Sequence, residues 1–252
     1  MPSEEKKQET PESYASKFWK KVLKGVIILP IIMWIWPSVV PFRFFEFWSI
    51  RGTVGEWLYA TWPVFAWGTG LTILMAALTR NDWETNRYAE RIIIRGAGTS
   101  ILAGVGEEVT FRWLFFLNTI VSVKIANFLL FGFLGHGVPR WFHLHVFGPI
   151  ANWTTFHGLQ PYIFHSTGWA VGAAMLATNA FFRDGHKYQG LFGWINSWFM
   201  GMFLFWIMFK YGLLAAILIH FLYDFLIDAV RYVDAAIERA QESARSNRLK
   251  PR

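Results

Sequence analysis

Three groups of ionisable side chains interrupt an otherwise apolar chain. Glu107, Glu108 and Arg112 fall in EEVTFR, Phe182 and His186 in FRDGH, and His220 and Asp224 in HFLYD. A carboxylate beside an imidazole can take a proton from one group and pass it to another, the elementary act of general acid–base chemistry. Glu108 and Arg112 are four apart with the acid first, the favourable order for an ion pair on a helix. Glu107 is left over, about 100° away around a helix. It lies on the side of Ala103, Gly104 and Phe111, where Gly104 and Gly106 would let a neighbouring helix come close. His220 and Asp224 also share one helix face, and Asp228 continues the stripe a turn later. Two readings stand: a buried network of packing charges, or a wet cavity in which Glu107 works as a base.

The surrounding sequence makes these charges expensive. Of 252 residues, 54% are hydrophobic and 16% charged, with 15 Trp and 25 Phe. Soluble domains carry about 25% charged residues. Long apolar runs cover 22–40, 57–78, 159–182 and 188–209, each near or above the roughly 18 residues that span a bilayer as a helix. An ionised side chain at mid-membrane costs about 2.5–3.5 kcal/mol, so three unpaired ones would cost on the order of 8–10 kcal/mol. The expected fold is therefore all-α: a polytopic helical membrane protein of six to seven transmembrane helices, with a possible interfacial or re-entrant segment.

Residues 1–21 read as a polar cytoplasmic leader and 22–230 as the transmembrane domain, with its motif-bearing core at 97–230. Residues 231–252 read as a basic cytoplasmic tail, expected to be helical and frayed. Spans are expected at 22–41, 57–79, 159–182, 188–210 and 212–230, and the basic loop 80–96 should be cytoplasmic by the positive-inside rule. The apolar run 97–135 is too long for one ordinary crossing. If 118–135 crosses separately, seven spans put the basic tail outside; if not, six keep it inside, the preferred arrangement. The following segment, 136–158, reads as a loop.

There is no cysteine, which excludes disulfides, thiolate metal sites and thiol catalysis. The net charge of +7 reads as span-flanking Lys and Arg meeting anionic membrane lipids, not as nucleic-acid binding. No cofactor is implied. A zinc-dependent site made from Glu107, His186, His220 and Asp224 stays open, although HExxH is missing. His136, His143, His145, His157 and His165 read as packing or interfacial residues, and NWT at 152–154 as a chance glycosylation pattern.

Taken in order, EEVTFR, FRDGH and HFLYD resemble the CPBP family of intramembrane proteases, which includes the CAAX prenyl endopeptidases and bacteriocin-processing or immunity-associated relatives. The family pattern is EExxxR, FxxxH and HxxxN or HxxxD. The resemblance covers about 97–230 and makes 118–158 look like an insertion. It implies an intramembrane endopeptidase, with Glu107 activating a water and His186 sharing the proton transfer. Glu108 and Arg112 would hold the helix and orient Glu107. His220 and Asp224 would bind the scissile carbonyl and stabilise the oxyanion. Because a carboxylate repels an oxyanion, Asp224 can instead orient His220, as the acid does in a triad. Phe182 would support the site. The expected partner is a protein or peptide substrate, prenylated or not, and the expected location a bacterial plasma membrane. Two other readings compete: a non-catalytic scaffold or immunity-type protein, and a proton-coupled carrier, for which no repeat is visible.

Overall fold

The computed structural model describes residues 24–79, 98, 100–102, 104–135, 137–164 and 168–249. The leader, the basic loop 80–96, Ala97, His136, His165 and residues 250–252 lie outside the described residues. Among the described residues the regular structure is helical throughout, without strands. The long helices are α1 (Lys24–Ile35), α2 (Val54–Thr79), α3 (Ser100–Leu129), α4 (Trp169–Gly185), α5 (Gly190–Tyr211) and α6 (Leu213–Leu249). Among the described residues, three segments are long and apolar enough to cross a membrane: Ser100–Leu129, Lys187–Tyr211 and Leu213–Arg245. The protein is an integral membrane protein.

The chain divides into two compact units. One comprises Met1–Glu46 and Trp113–Gly185. In it, the second half of α3, where Phe116, Leu117 and Ile120 are buried, packs on α4, where Ala170, Ala174 and Met175 are buried. Phe115 and Phe181 meet edge to face at 5.3 Å, and the Trp113 indole N–H donates to the Phe44 carbonyl at 2.6 Å.

The other unit comprises Phe47–Arg112 and His186–Arg252. Here α2 and α5 both pack on α6. Thr53 and Glu56 start α2 with a reciprocal capping box: the Thr53 N–H donates to Glu56 Oε2 at 2.6 Å and the Glu56 N–H to Thr53 Oγ1 at 3.3 Å. Arg51 closes the far end of α5, its guanidinium donating to the Phe209 carbonyl at 2.9 Å. Gly212 turns the chain from α5 into α6 at φ +102°, where a Cβ would collide with the Ser49 carbonyl.

Among the described residues the expected span 22–41 is helical only over Lys24–Ile35, the expected span 159–182 is broken, and the alternative second crossing at 118–135 does not form a separate helix. Residues 118–129 are not a second crossing; they continue α3, the helix that carries Glu107. Thirty residues at about 1.5 Å each reach roughly 45 Å, enough for one crossing and its headgroup margins. The helix stops at Leu130, and Phe131 turns left-handed at φ 66°. The run 159–182 is not one helix either. Gln160–Ile163 forms a single turn that ends at Phe164, and α4 starts afresh at Trp169. Between Leu130 and Phe164 the described chain carries a single turn at Gly132–Leu134, a helical run over 138–154 whose middle, His143–Phe147, is a π-helix, and the turn Gln160–Ile163. The tail 231–249 is helical as expected, as the uninterrupted end of α6.

Candidate active site

Five of the ionisable residues singled out by spacing converge within one unit. Glu107 and Glu108 come from α3, His186 from the turn before α5, and His220 and Asp224 from α6. From Glu108 to Phe115 the helix widens into a π-helix, a feature frequent at functional sites. No pattern of residue types in EEVTFRWLF announced it. Gly104 is where α3 meets α6: a Cβ there would come within 3.0 Å of the Ile217 carbonyl and 3.2 Å of the Phe221 amide nitrogen. Gly106 does not share this role, since no described atom lies within 4 Å of where its Cβ would be.

Glu108 and Arg112 are fully buried and paired, with Glu108 Oε1 3.2 Å from Arg112 Nη1. The Arg112 guanidinium also lies over the Phe205 ring, 5.7 Å from its centroid. Phe205, one of 25 phenylalanines, was indistinguishable from the others by sequence. The same Glu108 oxygen accepts a hydrogen bond from His220 Nδ1 at 2.8 Å. The acid that orients His220 through Nδ1 is therefore Glu108, where the sequence suggested Asp224. Asp224 lies at the opposite ring nitrogen, its Oδ2 3.5 Å from His220 Nε2. Asp228, the next acid along α6, is 3.9 Å from Arg231.

Glu107 faces two imidazoles. Its Oε2 is 4.0 Å from His186 Nε2 and 4.0 Å from His220 Nε2. These separations exceed hydrogen-bond length. That oxygen is itself buried and has no hydrogen-bond partner among the described residues, although the Glu107 side chain is 31% exposed. The His186 ring stacks on Tyr188 at 6.1 Å. Phe182 is buried in α4, within the other unit.

The remaining histidines have packing contacts. His143 is buried and its Nε2–H donates to the Ile163 carbonyl at 2.9 Å. Burial pushes its pKa below the ordinary histidine value. His145 stacks on Trp141 at 5.0 Å, and His157 Nδ1 accepts from Asn152 Nδ2 at 2.8 Å. Among the described residues, no group of three or more His, Asp or Glu side chains is arranged to hold a metal ion.

Residues 89–226, more than half of the chain, match the Rce1-like family of type II CAAX prenyl endopeptidases. The chain belongs to that family and is a membrane protease. No curated protein and no solved structure is significantly similar to it.

Proposed function

We propose that this protein is an intramembrane endopeptidase in which Glu107 and the two histidines activate a water molecule. The observation that carries the reading is the position of Glu107 Oε2, 4.0 Å from Nε2 of both His186 and His220. Polar atoms held at that separation suit a bridging water. With Nδ1–H of His220 donating to Glu108, Nε2 is the nitrogen turned toward the gap, because the bond at one ring nitrogen sets the tautomer of the other.

The reaction then balances as follows. Water attacks the scissile carbonyl carbon while Glu107 takes its proton. The carbonyl oxygen becomes an oxyanion, which a protonated Nε2 of His220 or His186 stabilises by donating a hydrogen bond. Glu107 returns the proton to the departing amine, the C–N bond breaks, and the products are a carboxylic acid and an amine, which become carboxylate and ammonium when the acid's proton passes to the amine. Arg112 offsets the charge of Glu108, and Asp224 accepts from His220 Nε2–H whenever that nitrogen carries the proton. A peptide ending in a prenylated CAAX sequence is the first substrate to try, given the family.

Glu107→Gln should abolish cleavage of such a peptide in proteoliposomes while expression and helicity stay unchanged. Cleavage at the wild-type rate would remove Glu107 as the base. Activity-independent function that survives loss of both Glu107 and His220 would favour the scaffold reading. A zinc-dependent version uses the same side chains. Among the described residues these side chains are not arranged to hold an ion, so they would have to rearrange to bind one. Loss of cleavage on chelation, restored by zinc, would replace the water-only mechanism with this one.

The membrane arrangement we propose has six crossings, with leader and tail on the cytoplasmic face of a bacterial plasma membrane. The segment 130–164 then lies in the interface. Its longest helical run, 138–154, is 17 residues and carries Arg140, His143 and His145. Arg140 is the only charged residue from Ile125 to Phe182. Trp141, Trp153 and Phe156 are exposed, as aromatic side chains at headgroup depth are.

A further inference from the structure

We infer that Tyr223, seated in a notch at Gly68 and tied to Asn196, is a positioning residue that sets the rotation of α6 and so aims His220 and Asp224 at Glu107. The inference rests on the peptidase reading for its catalytic consequence, but its geometric content stands apart from it.

Tyr223 lies about 60° around α6 from His220 and about 100° from Asp224, so its ring leaves the helix beside the acid–histidine face. Its ring lies against α2 where Gly68 leaves room: a Cβ at Gly68 would collide with Cε2 and come within 2.8 Å of both Cζ and the hydroxyl oxygen. Gly68 itself is buried in the middle of α2, where glycine costs about 1 kcal/mol relative to alanine. Occupation of the missing side chain's volume by a buried tyrosine accounts for it.

The hydroxyl is held from a third helix. Asn196 of α5 donates through Nδ2 to the Tyr223 hydroxyl at 3.3 Å and accepts from the Trp67 indole N–H at 3.1 Å. Trp67 is the neighbour of Gly68 on α2, so α2, α5 and α6 are locked at one level by a notch and two hydrogen bonds. A group about 5 Å from a helix axis moves roughly 2 Å when the helix turns by about 20°. That is enough to break the 2.8 Å bond from His220 to Glu108. A misplacement of about 1 Å can cost on the order of 100-fold in rate.

The test uses the full chain in proteoliposomes and two independent readouts. The first is kcat and KM on a fluorescence-quenched prenylated CAAX peptide. The second is the distance between spin labels at L102C on α3 and V233C on α6, both exposed, in a chain with no native cysteine. Gly68→Ala should lower kcat by about 100-fold with KM nearly unchanged and shift the label distance by roughly 2 Å. Tyr223→Phe, which keeps the ring in the notch and loses the hydroxyl, should lower kcat only roughly two- to tenfold. Gly70→Ala is the control, because no described atom lies within 4 Å of its Cβ position, and it should change neither readout. An unchanged distance in Gly68→Ala, whatever the activity, would overturn the inference, as would equal effects of Gly68→Ala and Gly70→Ala. A shifted distance with an inert wild-type protein would keep the positioning role and remove the peptidase reading.

Discussion

Glu108 accepts a hydrogen bond from His220 at 2.8 Å although the two residues are 112 positions apart in the chain. The same carboxylate oxygen is 3.2 Å from the Arg112 guanidinium. Glu108 is therefore the joint between α3 and α6: one oxygen holds a charge on its own helix and an imidazole on the other. Glu107, one residue earlier, faces the opposite nitrogen of the same imidazole at 4.0 Å. Adjacent acids with separate partners explain why the chain carries two glutamates in sequence.

Removal of Arg112 should be costly. Stripping one partner from a fully buried pair destabilises by about 3–5 kcal/mol, because the other charge stays buried without its counterion. Arg112→Ala should therefore lower Tm or expression sharply. The double change Glu108→Leu with Arg112→Met should recover much of that stability. It should not recover peptide cleavage, since His220 Nδ1 would lose its acceptor. Recovery of both would show that the Glu108–His220 bond has no part in the reaction.

Changes at His220 should separate orientation from binding. His220→Gln keeps a polar side chain on α6 but lacks a ring nitrogen on each side. Cleavage of a prenylated CAAX peptide should fall by about 100-fold or more, in the range expected for a lost acid–base group, with KM moving little. A large rise in KM with kcat preserved would assign His220 to substrate binding alone.

His143 makes a pH prediction of known sign. Burial holds its folded-state pKa below the ordinary value, near 6.5 in an unfolded chain. As pH falls through that value the unfolded imidazole takes up a proton before the folded one, which favours unfolding. Its contribution to stability is thus intact above about pH 6.5 and declines below it, by up to about 1.4 kcal/mol per pH unit, until the folded imidazole also protonates. His143→Gln can still donate to the Ile163 carbonyl and should flatten this decline. Thermal unfolding followed between pH 5 and 8 reads it directly, and an identical pH dependence in the variant would place the titration elsewhere.

The interfacial placement of 130–164 can be measured at Phe156, which is 89% exposed and left-handed at φ 50°. A nitroxide at F156C in liposomes should be relaxed strongly by oxygen and weakly by an aqueous nickel chelate. The reverse would put this segment in water.

Much of this was legible in the sequence because it follows from local chemistry. Apolar runs longer than a bilayer is thick force helices, since lipid offers no partner for a bare backbone. The four-residue spacings of Glu108 with Arg112 and of His220 with Asp224 place each pair on one helix face whatever the rest of the fold does. The order of the three motifs carried the family. What the sequence could not decide depends on contacts between segments far apart in the chain. Hydropathy left the run 97–135 open to one crossing or two, and only the charge of the tail favoured one, because hydropathy counts apolar residues and does not locate the turn at Phe131. The choice of Glu108 over Asp224 as the acid on His220 Nδ1 follows from the rotation of α6 against α3. That rotation is set by where side chains find room, at Gly104 against Phe221 and at Gly68 against Tyr223. Such complementarity belongs to pairs of surfaces, and no single stretch of residues contains it.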